Sequence, residues 1–289
     1  PDLQLLLNKE TNSEKKLELI SEMVSIAFEK DLQQALIYTK KGIALSEKSN
    51  DKNWMPKFHE MQGRMYANLL QLDSASIFFS KAEKGYKAVD NKEGLAKTYF
   101  KMGWVFRKKG HLDKALQKDL EGLKLMETID NKAGICDAMT RISGDLTQQN
   151  RLKEALEYAE KSIAVAEKYN LESEKYYVNF NAADVAMASE KYQLSLNYYK
   201  KALQISETQH LGIANKADVQ NSIGNALKRL GNYKEALSNY EKAMKYAKEA
   251  HYQNAINTVT ANLGEINLLL GNYSEALNYQ LETVRLQEQ

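Results

Sequence analysis

Leu230-Gly231-Asn232-Tyr233-Lys234-Glu235-Ala236-Leu237 returns forty residues later as Leu270-Gly271-Asn272-Tyr273-Ser274-Glu275-Ala276-Leu277. In both, glycine suits the left-handed backbone that ends one helix, and asparagine with glutamate three residues on reads as the cap of the next. Working outward, a small residue recurs at the phase of Ala236: Ala35, Ala75, Ala115, Ala155, Ser195 and Ala276. The period is 40, with a single step of 41 explained by one extra residue near Gly212. Twelve residues before these markers stand Gly63, Gly103, Ser143, Ala183, Gly224 and Gly264; the first unit has Met23 there and is atypical. Self-similarity at a fixed period means stacked units, each helix, short turn, helix. Asp90-Asn91-Lys92-Glu93-Gly94 and its repeat Asp130-Asn131-Lys132-Ala133-Gly134, with a weaker echo at residues 50–53, are the turns between units.

Composition agrees. Of 289 residues, 43% are hydrophobic and 27% charged, ordinary values for a folded chain with a sizeable core. Two prolines and 14 glycines leave an all-β reading without its turn signals, so the chain is expected to be all-α. Forty basic residues nearly balance 38 acidic ones, a net +2 that gives no strong field for nucleic acid or anionic lipid. A lone Cys136 excludes an intrachain disulfide framework, and no apolar run approaches the roughly 20 residues of a membrane-spanning helix. A chain that opens on Pro1 reads as a processed or excised segment.

Small residues on facing helices let backbones approach to about 8–10 Å while larger neighbours interdigitate. Around them, Met102, Val105 and Phe106, or Ile223, Leu227 and Leu230, form apolar stripes that no isolated helix pair could bury, so stability must come from stacking. Gly224, Gly231, Tyr233, Ala236, Tyr240 and Ala243 place small, glycine, aromatic, alanine, aromatic and alanine at repeat positions 8, 15, 17, 20, 24 and 27. That pattern resembles the tetratricopeptide repeat over nearly the whole chain, as one solenoid across 1–289. Its seven units fall near 14–49, 54–89, 94–129, 134–169, 174–209, 215–250 and 255–289, the last incomplete, after an amino-terminal cap at 1–13. The period exceeds the usual 34, and the proline that closes the second helix is missing, which implies longer helices. The resemblance implies a right-handed superhelical solenoid of antiparallel helix pairs. Asp2-Leu3-Gln4-Leu5-Leu6-Leu7, Thr11-Asn12-Ser13-Glu14 and Leu17-Glu18-Leu19-Ile20 further resemble the opening of bacterial tetratricopeptide sensor regions that precede a histidine kinase, helix-turn-helix or cyclase output. Cytoplasmic peptide-pheromone receptors share the repeat length but carry an extra amino-terminal module not evident here.

In such arrays the first helix of each unit lines the concave face at positions 2, 5, 9 and 12. Those positions hold Lys57, Glu60 and Arg64; Lys97, Phe100, Trp104 and Arg107; Asp137 and Thr140; Tyr177, Phe180 and Asp184; and Asp218, Asn221, Asn225 and Lys228. Asparagine on this face can satisfy both a donor and an acceptor of an extended peptide, as Asn221 and Asn225, one turn apart, are placed to do. Both also read as solvated polar residues. Phe100 and Trp104 read either as groove anchors or as side chains covered by a neighbouring helix. Arg64, Arg107, Lys97 and Lys228 would suit a carboxylate terminus or a solvated face.

No chemistry is expected. His59, His111, His210 and His251 fall in different units without ligand spacing, and Cys136 has no histidine nearby in sequence, so neither a metal nor a cofactor is implied. No phosphate-binding glycine loop or nucleophile turn occurs. The expected function is a non-catalytic, peptide- or protein-binding scaffold, the sensory or regulatory region of a bacterial signalling protein. The alternative is the regulatory arm of an enzyme whose kinase, cyclase or protease domain lies outside this segment. The partner is a peptide or protein segment in the concave groove, with self-association possible through an open carboxy-terminal end, and without nucleic acid or membrane insertion. The compartment is left open, periplasmic ahead of cytoplasmic.

Overall fold

A computed structural model describes residues 3–287; Pro1, Asp2, Glu288 and Gln289, and so the extremes of the expected range 1–289, lie outside the described residues. Among the described residues there are fifteen helices and no strand. A short α1 (Leu3–Lys9) precedes the pairs α2 (Ser13–Lys30) and α3 (Leu32–Lys48), α4 (Trp54–Asn68) and α5 (Leu72–Ala88), and α6 (Lys92–Lys108) and α7 (Leu112–Thr128). Then come α8 (Lys132–Gln148) with α9 (Leu152–Lys168), α10 (Glu172–Ala188) with α11 (Tyr192–Thr208), α12 (Ile213–Arg229) with α13 (Tyr233–Glu249), and α14 (Gln253–Leu270) with α15 (Tyr273–Gln287). No described helix is long and apolar enough to cross a membrane.

Most helices end alike, with a left-handed residue one place beyond the cap or, at Gly271, in the cap itself. Within pairs this is Leu70, Gly110, Asn150, Glu190, Gly231 and Gly271; between pairs it is Asn50, Asp90, Asp130, Asn170, His210 and His251. At Gly231 (φ 80°) its N–H donates to Lys228 O at 3.1 Å and the Asn232 N–H to Leu227 O at 2.9 Å, closing the last carbonyls of α12. The expected side-chain cap is absent there: Asn232 makes no capping bond, and Asn272 donates instead to Asn267 Oδ1 at 2.9 Å. Side-chain caps occur between pairs, where Asn91 and Asn131 accept from the N–H of Gly94 and Gly134. The first pair differs, because a single extended residue, Asp31, joins α2 to α3 and caps α3 by accepting from Gln33 and Gln34 N–H.

The chain forms two compact units, 1–145 and 146–289, with the division inside α8. In the first, Leu17, Ile20, Val24, Phe58 and Met65 make one core cluster and Phe79 with Val105 another. In the second, Tyr176, Leu196, Tyr199, Ile223, Tyr240 and Leu263 share a core. Burying each such side chain contributes about 1.5–3 kcal/mol, so the core, not helix propensity, holds the pairs. The marker residues Ala35, Ala75, Ala115, Ala155, Ser195 and Ala236 have no exposed surface. A Cβ on Gly63 would stand 2.7 Å from Phe79, and one on Gly224 2.5 Å from Tyr240, so these glycines make room for the ring across the pair. On α15, Leu277 is left exposed although its counterparts Leu36, Leu116, Leu156 and Leu196 are buried; Leu281 and Val284 are exposed with it.

Candidate functional site

In the first unit, α4 sets Arg64 and Asn68 one turn apart on an exposed strip. The Arg64 guanidinium lies over the Phe28 ring of α2, 4.8 Å from its centroid, and pairs with no carboxylate among the described residues. Phe28, Arg64 and Asn68 together with Phe79, Lys101 and Trp104 line a hollow of about 210 Å³ between the first helices α2, α4 and α6. A smaller hollow of about 170 Å³ shares Phe28 and Arg64 and adds Glu29 and Met61. Arg64 and Trp104, both expected on the groove, are thus brought together. Lys57 lies over the Trp54 ring at 4.0 Å, with its pKa lowered by burial against the pull of Glu60 and Glu18. Lys97 pairs with Glu93 at 2.6 Å in the open, where such a pair contributes little.

Two expected groove residues are engaged by neighbouring groups. Phe100 is 4% exposed and faces α7, where a Cβ on Gly122 would stand 2.2 Å from its ring; the Arg141 guanidinium lies 5.3 Å from the ring centroid. Its aromatic bulk serves the core because Gly122 leaves a gap that only a large ring fills. Arg107 is held by two buried carboxylates, donating from Nη1 to Asp119 Oδ2 and to Asp145 Oδ1 at 2.6 Å each, so it is no free groove cation. Asp137 pairs with Arg141 at 2.9 Å, and the Thr140 hydroxyl donates to the Cys136 carbonyl.

In the second unit, Tyr177 of α10 is 59% exposed and meets Tyr176 edge-on at 5.1 Å. Phe180 is half-buried between Tyr176 and Tyr199, and the Tyr199 hydroxyl donates to Asp184. Asn221 accepts from Asn262 Nδ2 and Asn225 from the Tyr240 hydroxyl, each at 2.8 Å, so both carbonyl oxygens offered for a peptide are already engaged. Lys228 pairs with Glu265 at 2.7 Å. Asp218 is half-buried, and burial pushes its carboxyl up.

A pattern joins these facts. Lys101 with Glu60, Arg107 with Asp145, Asn262 with Asn221 and Lys228 with Glu265 each join successive first helices within one unit, at separations of 41, 38, 41 and 37 residues. They are rungs at nearly one repeat period. Sequence models of the tetratricopeptide repeat match residues 135–170, 172–249 and 215–289, together just over half of the chain. The chain is a tetratricopeptide repeat protein.

No curated protein matches this tetratricopeptide repeat chain in sequence. Among solved structures it is similar to a signal transduction ATPase with numerous domains that carries a tetratricopeptide repeat sensor, from Pyrococcus horikoshii (TM-score 0.79, 14% identity, 98% of this chain and 44% of that one). It is also similar to RapI in its apo form (TM-score 0.70, 13% identity, 94% and 98%) and to a Rap protein complexed with competence and sporulation factor (TM-score 0.63, 13% identity, 96% and 93%). The chain spans less than half of the ATPase and nearly all of both Rap proteins. At these identities the likeness is one of fold. As a tetratricopeptide repeat array the chain is a protein-interaction scaffold.

What sequence reading missed in this tetratricopeptide repeat protein is the acid pair around Arg107. Position 24 holds Phe79, Tyr199 and Tyr240 in three units and the uncharged Thr39, Ala159 and Gln280 in three others, but Asp119 in the third unit, over Gly103, whose absent Cβ would stand 2.6 Å from Asp119 Oδ1. Asp119 and Asp145 side chains are fully buried, and one oxygen of each, Asp119 Oδ1 and Asp145 Oδ2, has no hydrogen-bond partner. Burial, with Asp145 beside it, pushes the Asp119 carboxyl up to about 7 against the pull of Arg107. The signal was legible as a carboxylate at a repeat position that is otherwise uncharged, twelve residues after an arginine.

Proposed function

We propose that this chain is the sensory or regulatory region of a signal-transduction protein, and that its first-helix faces hold a peptide or protein segment. The observation that carries this reading is the hollow between α2, α4 and α6, where an exposed guanidinium and half-buried Trp104 face the same space. Large aromatics and arginine are where binding energy concentrates. Similar structures support the signalling part: one carries a repeat sensor in an ATPase, and another is complexed with competence and sporulation factor. A bound segment bridging several first helices would favour one stacking geometry over another and so report its presence to attached domains.

The test is a displayed peptide library panned against the purified chain. The reading expects a consensus peptide whose affinity falls at least tenfold in Arg64→Met or Tyr177→Ala and is kept in Leu120→Asn, on the outer side of a second helix. A peptide that loses affinity only in Leu120→Asn would place binding on the wrong face.

A further inference from the structure

Where position 24 holds Phe79, Tyr199 or Tyr240, a buried ring fills the space against the first helix of the pair. In the third pair Asp119 stands there and the Arg107 guanidinium comes in beside it, so an ionic group ties α6, α7 and α8 together where a ring serves in those pairs. The charge is uneven. One guanidinium meets two carboxylates whose side chains have no exposed surface, and Asp119 Oδ1 and Asp145 Oδ2 accept no hydrogen bond. A proton taken up by either acid turns one oxygen into a donor and removes the excess negative charge, so one shared proton satisfies the site better than none. Neighbouring charges do not restore the balance. Besides Arg107, α6 offers Lys108, which lies over the Trp104 ring, and Lys109, which pairs with Asp73. On α7, Lys118 pairs with Glu121 and Lys114 lies over the Phe106 ring; on α8, Arg141 pairs with Asp137. Arg107 is the one member of the cluster with exposed surface, 15% of its side chain, and so marks the way in for water.

We infer that the Arg107, Asp119 and Asp145 cluster is a proton-operated latch, which holds α7 and residues 132–145 of α8 onto α6 while it keeps a proton and lets them part from α6 when the proton leaves. Burial, with Asp145 beside it, pushes the Asp119 carboxyl up to about 7, so the latch works within a unit or so of neutral pH. The sign follows from linkage: an acid whose folded pKa lies above its unfolded value holds the fold below that value and releases it as pH rises through it. Parting relieves the repulsion because water entering along Arg107 can solvate both carboxylates. Stacked helix pairs open locally, so the release is confined to the helices that carry the cluster. The latch needs no bound segment and stands apart from the peptide-binding reading.

The experiment is amide hydrogen exchange of the full chain at pH 6, 7 and 8, read by mass spectrometry as protection, the intrinsic rate at each pH divided by the observed one. With the Asp119 carboxyl at about 7 when latched and 3.8 when released, protection of α6, α7 and residues 132–145 should fall about tenfold from pH 6 to pH 8. Helices α2 to α5, in the same unit, should change by less than twofold. Asp119→Asn and Asp145→Asn each leave one acid for Arg107, so either should hold protection constant within about twofold over the same range. Asp73→Asn, which removes an exposed acid paired with Lys109, should keep the tenfold fall. A wild-type chain whose α7 protection does not change with pH, or whose loss spreads equally over α2 to α5, would overturn the latch whether or not the variants fold. So would a fall that persists in both folded Asp→Asn variants of the cluster.

Discussion

Asp119→Asn is expected to stabilise the folded chain at about pH 8, against the usual cost of altering a fully buried hydrogen-bonded group. Two buried carboxylates, Asp119 and Asp145, share the single Arg107 guanidinium, so the cluster carries an uncompensated negative charge when both ionise. The folded chain avoids that by holding a proton at Asp119, whose pKa rises from 3.8 to about 7 through burial and the neighbouring Asp145. An acid with a raised folded pKa stabilises fully below its unfolded value and loses that contribution as pH climbs through the folded value. Each pKa unit is worth about 1.4 kcal/mol, so over the two units from about pH 5 to the folded value the site should lose about 3 kcal/mol by pH 8. Asparagine keeps an oxygen for Arg107 and offers an N–H to the unpartnered Asp145 Oδ2, and it does not titrate. Urea unfolding followed by circular dichroism at both pH values, for wild type and variant, gives the difference. Asp184 and Asp218 are also raised by burial, so only the wild-type-minus-variant difference isolates Asp119. The variant's advantage over wild type should be about 3 kcal/mol larger at pH 8 than at pH 5. A difference that does not change with pH would refute the shared-proton account.

Arg107→Met should cost about 3–5 kcal/mol at pH 8, because it strands two buried carboxylates, and less at pH 5; equal losses at both would contradict the pairing. Gly224→Ala should cost about 1–3 kcal/mol, since the new Cβ meets Tyr240 at 2.5 Å. Gly264→Ala, whose nearest neighbour is at 3.4 Å, should gain about 0.5–1 kcal/mol of helix propensity, and thermal melts of the pair check both signs. Leu70→Asn should gain about 0.5–1 kcal/mol, because Leu70 is 68% exposed and left-handed at φ 55°, where Asn150 stands in another pair; a lower melting temperature would refute this.

The fold was legible because its determinants repeat. Ala236 and Gly224 and their counterparts are read by spacing alone, and Gly231 and Gly271 announced their left-handed turns. The first turn was not, since Asp31 joins α2 to α3 without the usual three residues, and Asn232 looked like a cap while its backbone N–H was closing the preceding helix. The site was legible only in outline. Positions 2, 5, 9 and 12 mark the first-helix strip, but they cannot say that Phe100 turns onto Gly122 or that Lys228 reaches Glu265 one repeat on. Both depend on which neighbour offers a gap or an opposite charge, a property of pairs of repeats.

The claim that the first-helix faces bind a peptide is tested most directly by photo-crosslinking. A panned consensus peptide carrying a benzophenone side chain is irradiated with the full chain, and the adducts are mapped by mass spectrometry. The account predicts adducts on α4 and α6 in the first unit or on α10 and α12 in the second, lost on competition with unlabelled peptide. Competed adducts confined to the second helices α5, α7, α11 or α13 would contradict it.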